Sequence, residues 1–102
     1  MPVYPAVDRS RVDEAVERAV LALAPDVVQI RYQVSEDWSG DPALFFKVVL
    51  TDEASRRGRR EATLRARAVV DQEVDPEQFG YRAYYNFRTL SEHLEVKDPA
   101  WA

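Results

Sequence analysis

The sequence predicts an α+β protein, a two-layer sandwich in which a three-stranded sheet carries two helices on one face, in the order α-β-β-α-β. Two patterns lead to this fold class. Apolar residues recur at spacings of three and four in two segments, as in amphipathic helices, and they alternate with polar residues in three others, as in half-buried strands. With 102 residues the chain can bury one core, so a single domain (1–102) is expected, with a C-terminal tail from about residue 90.

The first helix is predicted to begin at Ser10 and to end before Pro25. Ser10 is a good N-cap residue, and Asp13 lies in the first turn, where a carboxylate interacts favourably with the helix dipole. Pro25 ends the helix because it lacks a backbone N–H. The face predicted to be buried consists of Val12, Ala15, Val16, Ala19, Val20 and Leu23.

Two strands are predicted next, at residues 27–34 (VVQIRYQV) and 43–50 (ALFFKVVL). Both alternate with period two and are rich in β-branched or aromatic residues. Because they are adjacent in the chain, an antiparallel hairpin is expected. One face of the hairpin is predicted to carry Val28, Ile30, Tyr32, Val34, Leu44, Phe46, Val48 and Leu50.

The connection between these strands lies in the stretch EDWSGDPALFF, whose acidic residues could form a site. Eight residues separate Val34 from Ala43, too many for a two-residue turn. A turn in which Gly40 takes a positive φ is favoured over a metal site, because two or three carboxylates alone bind a divalent ion weakly. Trp38 is predicted to fold over the edge of the core and anchor the loop. The carboxylates predicted to stay in solvent are Glu36, Asp37 and Asp41.

A second helix is predicted before Pro76, in a segment of good helix formers. Its start could be Thr51 or Asp52, or it could begin after Gly58. Leu64 is predicted to point away from its apolar face.

The third strand is predicted at residues 81–89 (YRAYYNFRT), parallel to the second strand because the helix between them returns the chain. The sheet face away from the helices is then basic and aromatic. Its candidate binding residues are Arg31, Phe45, Lys47, Arg82, Tyr84 and Arg88.

This face has three possible uses. Aromatic rings between cations suit single-stranded nucleic acid, and the same surface suits an acidic partner protein, whereas an ordinary solvated strand face is the simplest alternative. The face also carries apolar residues, so either a second copy of the chain or the tail is expected to cover part of it. The tail residues expected to do so are Leu94, Val96 and Trp101.

The arginine run SRRGRR provides a second candidate binding element. At a helix N-terminus, such a run could contact a phosphate. It lacks the glycine spacing of a Walker loop and the GXXG of KH domains, and a solvated run is the alternative. Its candidate residues are Arg56, Arg57, Arg59 and Arg60.

Several function classes are excluded or disfavoured. The absence of cysteine excludes a disulfide scaffold and a Cys nucleophile, and a single histidine, His93, leaves little for a metal. Ser91, His93 and Asp98 could form a triad only on paper, because Gly-x-Ser-x-Gly is missing. No enzyme activity and no cofactor are therefore expected. Neither a secretion signal nor an 18-residue apolar run is found, so a cytoplasmic location is expected.

The stretches EDWSGDPALFFKVVL and YYNFRTLSEHLEVKDPAWA resemble a family of small, uncharacterised bacterial proteins of about this length. The family has no established activity, so no catalytic residue is carried over. The resemblance implies a partner-binding component of a toxin-antitoxin-like pair. Together with the sheet face, it predicts a binding module that associates with itself or with a partner protein, with single-stranded nucleic-acid binding as the alternative.

Overall fold

A computed structural model of the chain describes residues 7–96 and residue 101. The sheet has the order β1-β2-β3, with β1 antiparallel and β3 parallel to β2. The α+β fold class and both strand directions are therefore confirmed, and the predicted tail contains a further short helix. The elements are α1 (Arg9–Leu23), β1 (Val27–Glu36), β2 (Pro42–Leu50), α2 (Asp52–Val74), a 3-10 turn (Pro76–Phe79), β3 (Arg82–Thr89) and α3 (Leu90–Glu95).

The central strand β2 supplies the middle of the core. It pairs with a strand on each side, and α1 and α2 cover one of its faces, so alternate β2 side chains are removed from water by the helices. Phe46 is fully buried, with its ring stacked on that of Tyr85 at a centroid distance of 5.2 Å. The other fully buried residues on this face are Leu44, Val48 and Leu50.

The N-cap of α1 differs from the prediction. Asp8 caps the helix, because its carboxylate accepts a hydrogen bond from the backbone N–H of Arg11 at 3.3 Å. Ser10 lies within the helix, one residue after its start. Both residue types cap well, and in this helix the capping hydrogen bond is made by Asp8.

The sequence left the start of the second helix open, and the structure defines it. Thr51 is the N-cap and accepts from the N–H of Ala54 at 3.1 Å, so the helix begins at Asp52. Gly58 interrupts the helical dihedral angles and kinks the element. Leu64 is 51% exposed, which confirms that it points away from the core.

One register prediction is wrong in β1. Val27 is buried and Val28 is 45% exposed, the reverse of the predicted alternation, because the pairing with β2 shifts between Val27 and Gln29. An extra residue at such a bulge sends the following side chains to the opposite face. From Ile30 onward the alternation follows the prediction. Within residues 7–96, no helix has the length and apolar content needed to cross a membrane.

The two neighbouring phenylalanines of β2 provide a matched test of this arrangement. Phe46→Ala should lower the free energy of unfolding by about 3 to 5 kcal/mol, because it leaves a cavity in the core. Phe45→Ala removes the same atoms from the half-buried opposite face and should cost only about 1 to 2 kcal/mol. Urea unfolding of both variants measures the difference. Equal losses, or a larger loss for Phe45→Ala, would show that the faces are assigned wrongly.

Candidate functional site

The strand register gathers the predicted binding residues of the sheet on the face away from α1 and α2. Arg31 lies opposite Lys47 across β1 and β2, and Phe45 lies opposite Tyr84 across β2 and β3. Arg82 and Arg88 lie opposite Ala43 and Val49 on the same face. Side chains opposite each other on neighbouring strands share a face, so all six predicted strand residues belong to one surface.

The end of this face near Arg88 is covered by the chain itself. Trp101 is only 6% exposed, and its ring centroid lies 4.3 Å from the guanidinium carbon of Arg88. The side-chain amide of Gln29 donates to the Trp101 carbonyl at 3.3 Å. This cation–π contact and hydrogen bond hold the indole on the sheet. We call Gln29, Val49 and Arg88 the covered end.

Only part of the expected tail contact is present. Leu94 and Val96 are exposed, although the Val96 carbonyl accepts a hydrogen bond from Arg88 at 3.5 Å, so of the three expected residues Trp101 is the one whose side chain is buried. Residues 97–100 lie outside the described residues. His93 is half-buried, with its ring 6.2 Å from that of Trp101.

At the opposite end, Asp37 organises the loop between β1 and β2. It is 7% exposed, which corrects the prediction that it stays in solvent. Its carboxylate accepts from the Ser39 N–H at 2.9 Å, the Ser39 hydroxyl at 2.7 Å, the Asp41 N–H at 3.0 Å and the Tyr84 hydroxyl at 2.8 Å. Four donors compensate the carboxylate for the water that it loses.

The loop is also shorter than predicted. Glu36 pairs with Pro42, so β1 and β2 extend further than the alternation indicates and leave five connecting residues, 37–41. Gly40 takes the expected positive φ of 84°. The Asp37 N–H donates to the Asp41 carbonyl at 2.9 Å and closes the loop.

These contacts shift three pKa values. Hydrogen bonds, first of all from the Ser39 hydroxyl, lower the pKa of Asp37 to about 2. The same carboxylate raises the pKa of Tyr84, because its hydroxyl proton is held in a hydrogen bond. A hydrogen bond with Tyr84 and then the charge of Asp41, at 3.3 Å, raise the pKa of Arg82. The ends of β1, β2 and β3 are therefore joined by one polar network.

Trp38 lies outside this network, and the prediction that it anchors the loop is wrong. It is 83% exposed, with its ring 5.1 Å from that of Tyr84. The polar contacts of Asp37 hold the loop, and the indole of Trp38 makes no contribution to the core. The spacing of Asp37 and Ser39, typical of a side-chain turn, was the signal that could have shown this.

An open aromatic and basic surface results. Tyr84 stacks on Phe45 at 5.2 Å and contacts Trp38 on the loop. Lys47 follows Phe45 as the next residue of β2 on this face, and Arg31 lies opposite Lys47 on β1. We call Trp38, Tyr84, Phe45, Arg31 and Lys47 the Trp38 surface. It combines a large exposed ring with cations, in a frame of hydrogen-bonded strands.

The arginine run lies elsewhere. It belongs to α2, which packs on the opposite face of the sheet, and it follows the helix N-terminus rather than forming it. Arg57 pairs with Asp26 at 2.6 Å and Arg59 with Glu92 at 3.0 Å. Arg56 and Arg60 are exposed. The structure therefore does not join the run to the sheet face.

The described residues do not form the catalytic triad or the metal site considered from the sequence. The Ser91 hydroxyl donates to Asp52, and Asp98 lies outside the described residues. Among residues 7–96 and 101, no group of three histidine, cysteine or carboxylate side chains is placed to hold a metal ion. The carboxylates of Asp37 and Asp41 are engaged by the hydrogen bonds and the ion pair above.

Comparison with protein-family models and with curated proteins found no match for this sequence. The resemblance to a small bacterial family therefore stays a prediction. The contacts and exposure of the residues on the sheet face support the proposed function.

The lowered pKa of Asp37 predicts a pH-dependent stability. A carboxyl group with a depressed pKa stabilises the fold fully above its ordinary value of 3.8, and this contribution is lost as the pH falls towards about 2. Asp37→Asn should therefore lower the unfolding midpoint at pH 7, and the difference from wild type should shrink below pH 4 and be largely lost near pH 2. Tyr84→Phe removes one of the four donors and should give a smaller effect in the same direction. A difference that stays constant from pH 7 to pH 2 would contradict the role given to Asp37.

Proposed function

We propose that this protein is a non-enzymatic binding module that associates with a protein through the Trp38 surface. The observation that carries the proposal is the exposure of Trp38 on a hydrogen-bonded loop, with its ring against that of Tyr84 and with Arg31 further along the same sheet face. Tryptophan, tyrosine and arginine are the residue types most enriched among the residues that dominate binding energy at protein interfaces.

The loop contacts make this surface suitable for binding. The Asp37 carboxylate accepts hydrogen bonds from the backbone N–H groups of Ser39 and Asp41, which follow Trp38, and from the hydroxyl of Tyr84. A partner would then find the loop already ordered, and less conformational entropy would be lost on association. Burial of the indole would remove a large apolar area from water, which favours complex formation.

Charge favours a different, acidic protein over a second copy of this chain. In a two-fold symmetric pairing through this surface, the same patch would face itself, bringing Arg31 and Lys47 towards like charges. A partner with carboxylates around an apolar patch would be complementary. Such a partner agrees with the toxin-antitoxin-like pairing implied by the resemblance, and a homodimer is the other form of the same proposal.

Single-stranded nucleic-acid binding is the alternative, favoured by Arg31 and Lys47 next to three aromatic rings. The remaining cations of the face support it less. Arg82 pairs with Asp41, and Arg88 lies against Trp101. Tyr84 is already in contact with two rings, so Trp38 has the most exposed ring for stacking a base.

Photo-cross-linking tests the proposal directly. With benzoylphenylalanine in place of Trp38, irradiation of cells that naturally express the chain should give a discrete protein adduct, which mass spectrometry identifies as a second copy or another protein. The same substitution at Leu64, an exposed residue on α2, should not give this adduct. Trp38→Ala should then weaken the isolated complex by about 2 kcal/mol, against less than about 0.5 kcal/mol for Leu64→Ala. Position 38 giving no more protein adduct than position 64 would contradict the proposal.

The alternative predicts a different result. Labelled single-stranded RNA should bind the chain with an affinity that falls steeply with salt, and replacement of both Arg31 and Lys47 by alanine should reduce that salt dependence. Absence of retardation at low salt would remove the nucleic-acid alternative and leave the protein-binding proposal unaffected.

A further inference from the structure

A groove on the other side of the molecule runs between α1 and the outer edge of β1. Its volume is about 770 Å³, within the range of ligand pockets. Val16 and Val20 of α1 and Ile30 of β1 contribute apolar lining. None of the residues of the Trp38 surface except Arg31 takes part in it, so it is a separate candidate interface.

Near the C-terminal end of α1, the groove is lined by two exposed apolar residues. Leu21 on α1 is 77% exposed, and Val28 at the bulge of β1 is 45% exposed. Single exposed apolar residues are ordinary on a protein surface. Here, however, two of them line the same groove as Val16 and Val20.

The edge of β1 provides the second feature. β1 is an outer strand of the sheet, so among the described residues only its β2 side is paired. The bulge ends the regular register at Val28, and the regular part begins at Gln29. Outward N–H and C=O groups in this part can pair with an added strand.

The groove also carries negative charge on its helical side. Asp13 and Glu17 line it from α1, and Asp13 accepts a hydrogen bond from the Tyr32 hydroxyl at 2.7 Å. Arg9 lies near Tyr32 and partly compensates Asp13 at that end. Arg31 lines the groove from β1, but its strand position belongs to the opposite face of the sheet. The helical side is therefore acidic around Glu17.

We propose that this groove binds an extended segment of a partner protein, which adds a fourth strand to β1 and turns apolar and basic side chains towards α1. Backbone hydrogen bonds supply affinity, and alternate side chains supply specificity. Apolar residues of the segment would cover Leu21, Val28 and Ile30, while a lysine or arginine would approach Glu17.

A second copy of the chain fits this edge less well. Two β1 edges paired antiparallel about a two-fold axis would join their sheets with both α1 helices on the same side. Asp13 and Glu17 of one copy would then face the acidic side of the other α1, an arrangement of like charges that opposes pairing.

A designed peptide tests the proposal without knowledge of the natural partner. In acetyl-Lys-Thr-Val-Thr-Val-Thr-Val-Thr-Lys-amide, valine and lysine side chains share one face of the strand and threonines share the other, in either direction of binding. The peptide should bind and should slow amide hydrogen exchange in β1 from Gln29 to Val34. A peptide with glutamate in place of both lysines should bind at least about fivefold more weakly.

Variants locate the binding and separate it from the Trp38 surface. Leu21→Asp should abolish peptide binding, whereas Leu64→Asp, at a similarly exposed leucine of α2, and Trp38→Ala should leave it unchanged. Glu17→Lys should reverse the preference in favour of the glutamate peptide, whereas Glu14→Lys, at an α1 residue outside the groove lining, should not.

Three outcomes would overturn the proposal: no binding of the lysine peptide, equal binding of both peptides, or protection of β3 amides in place of β1. Light scattering of the chain without peptide gives a further test. A dimer whose mass falls to that of the monomer on Leu21→Asp would show that a second copy fills the groove instead.

Discussion

The pairing of β2 with a strand on each side is the constraint on which the rest of the structure depends. It engages the backbone of β2 in hydrogen bonds on both sides, and the side chains of β2 point alternately to two faces. Leu44, Phe46, Val48 and Leu50 form the centre of the core, while Ala43, Phe45, Lys47 and Val49 build the opposite face. A change of one residue in this register would exchange the core with the candidate binding surface.

The two ends of the opposite face differ in their exposure to solvent. At one end Trp101 returns from the C-terminal segment and lies on Arg88, so an apolar part of the sheet is covered within the molecule. At the other end Asp37 fixes the loop by polar contacts and leaves Trp38 outside. Of the two tryptophans, one therefore contributes to the fold, and the other is placed to contribute to binding.

Periodicity was enough to predict the two long helices, the three strands and their order along the chain, because each depends on a pattern repeated over several residues. The direction of β3, parallel to β2, followed from the helix that returns the chain, whereas their pairing as neighbours and the short helix α3 were not predicted. Details that depend on one residue were not predicted. The bulge at Val28 reverses the exposure of two valines, and Asp8 rather than Ser10 caps α1. Periodicity does not locate such features, because a bulge reverses the two faces at a single residue and an alternative cap moves a helix end by only one or two residues.

The candidate site was predicted in part for the same reason. Alternation placed Arg31, Phe45, Lys47 and Tyr84 on one face, and the register agrees. Asp37 contacts Tyr84, which is 47 residues away, and Trp101 contacts Gln29 and Arg88. The spacing of Asp37 and Ser39 indicates a side-chain turn and the apolar tail was expected on the sheet, but the particular partners of these side chains have no signature in one sequence.

The central claim is that the sheet face is divided into a covered end and an open Trp38 surface. The indole N–H signals of the two tryptophans report on this division, since one lies at each end. In the presence of a soluble gadolinium chelate, the Trp38 signal should broaden strongly and the Trp101 signal should be largely protected. Equal broadening of both signals, or protection of Trp38, would contradict the account.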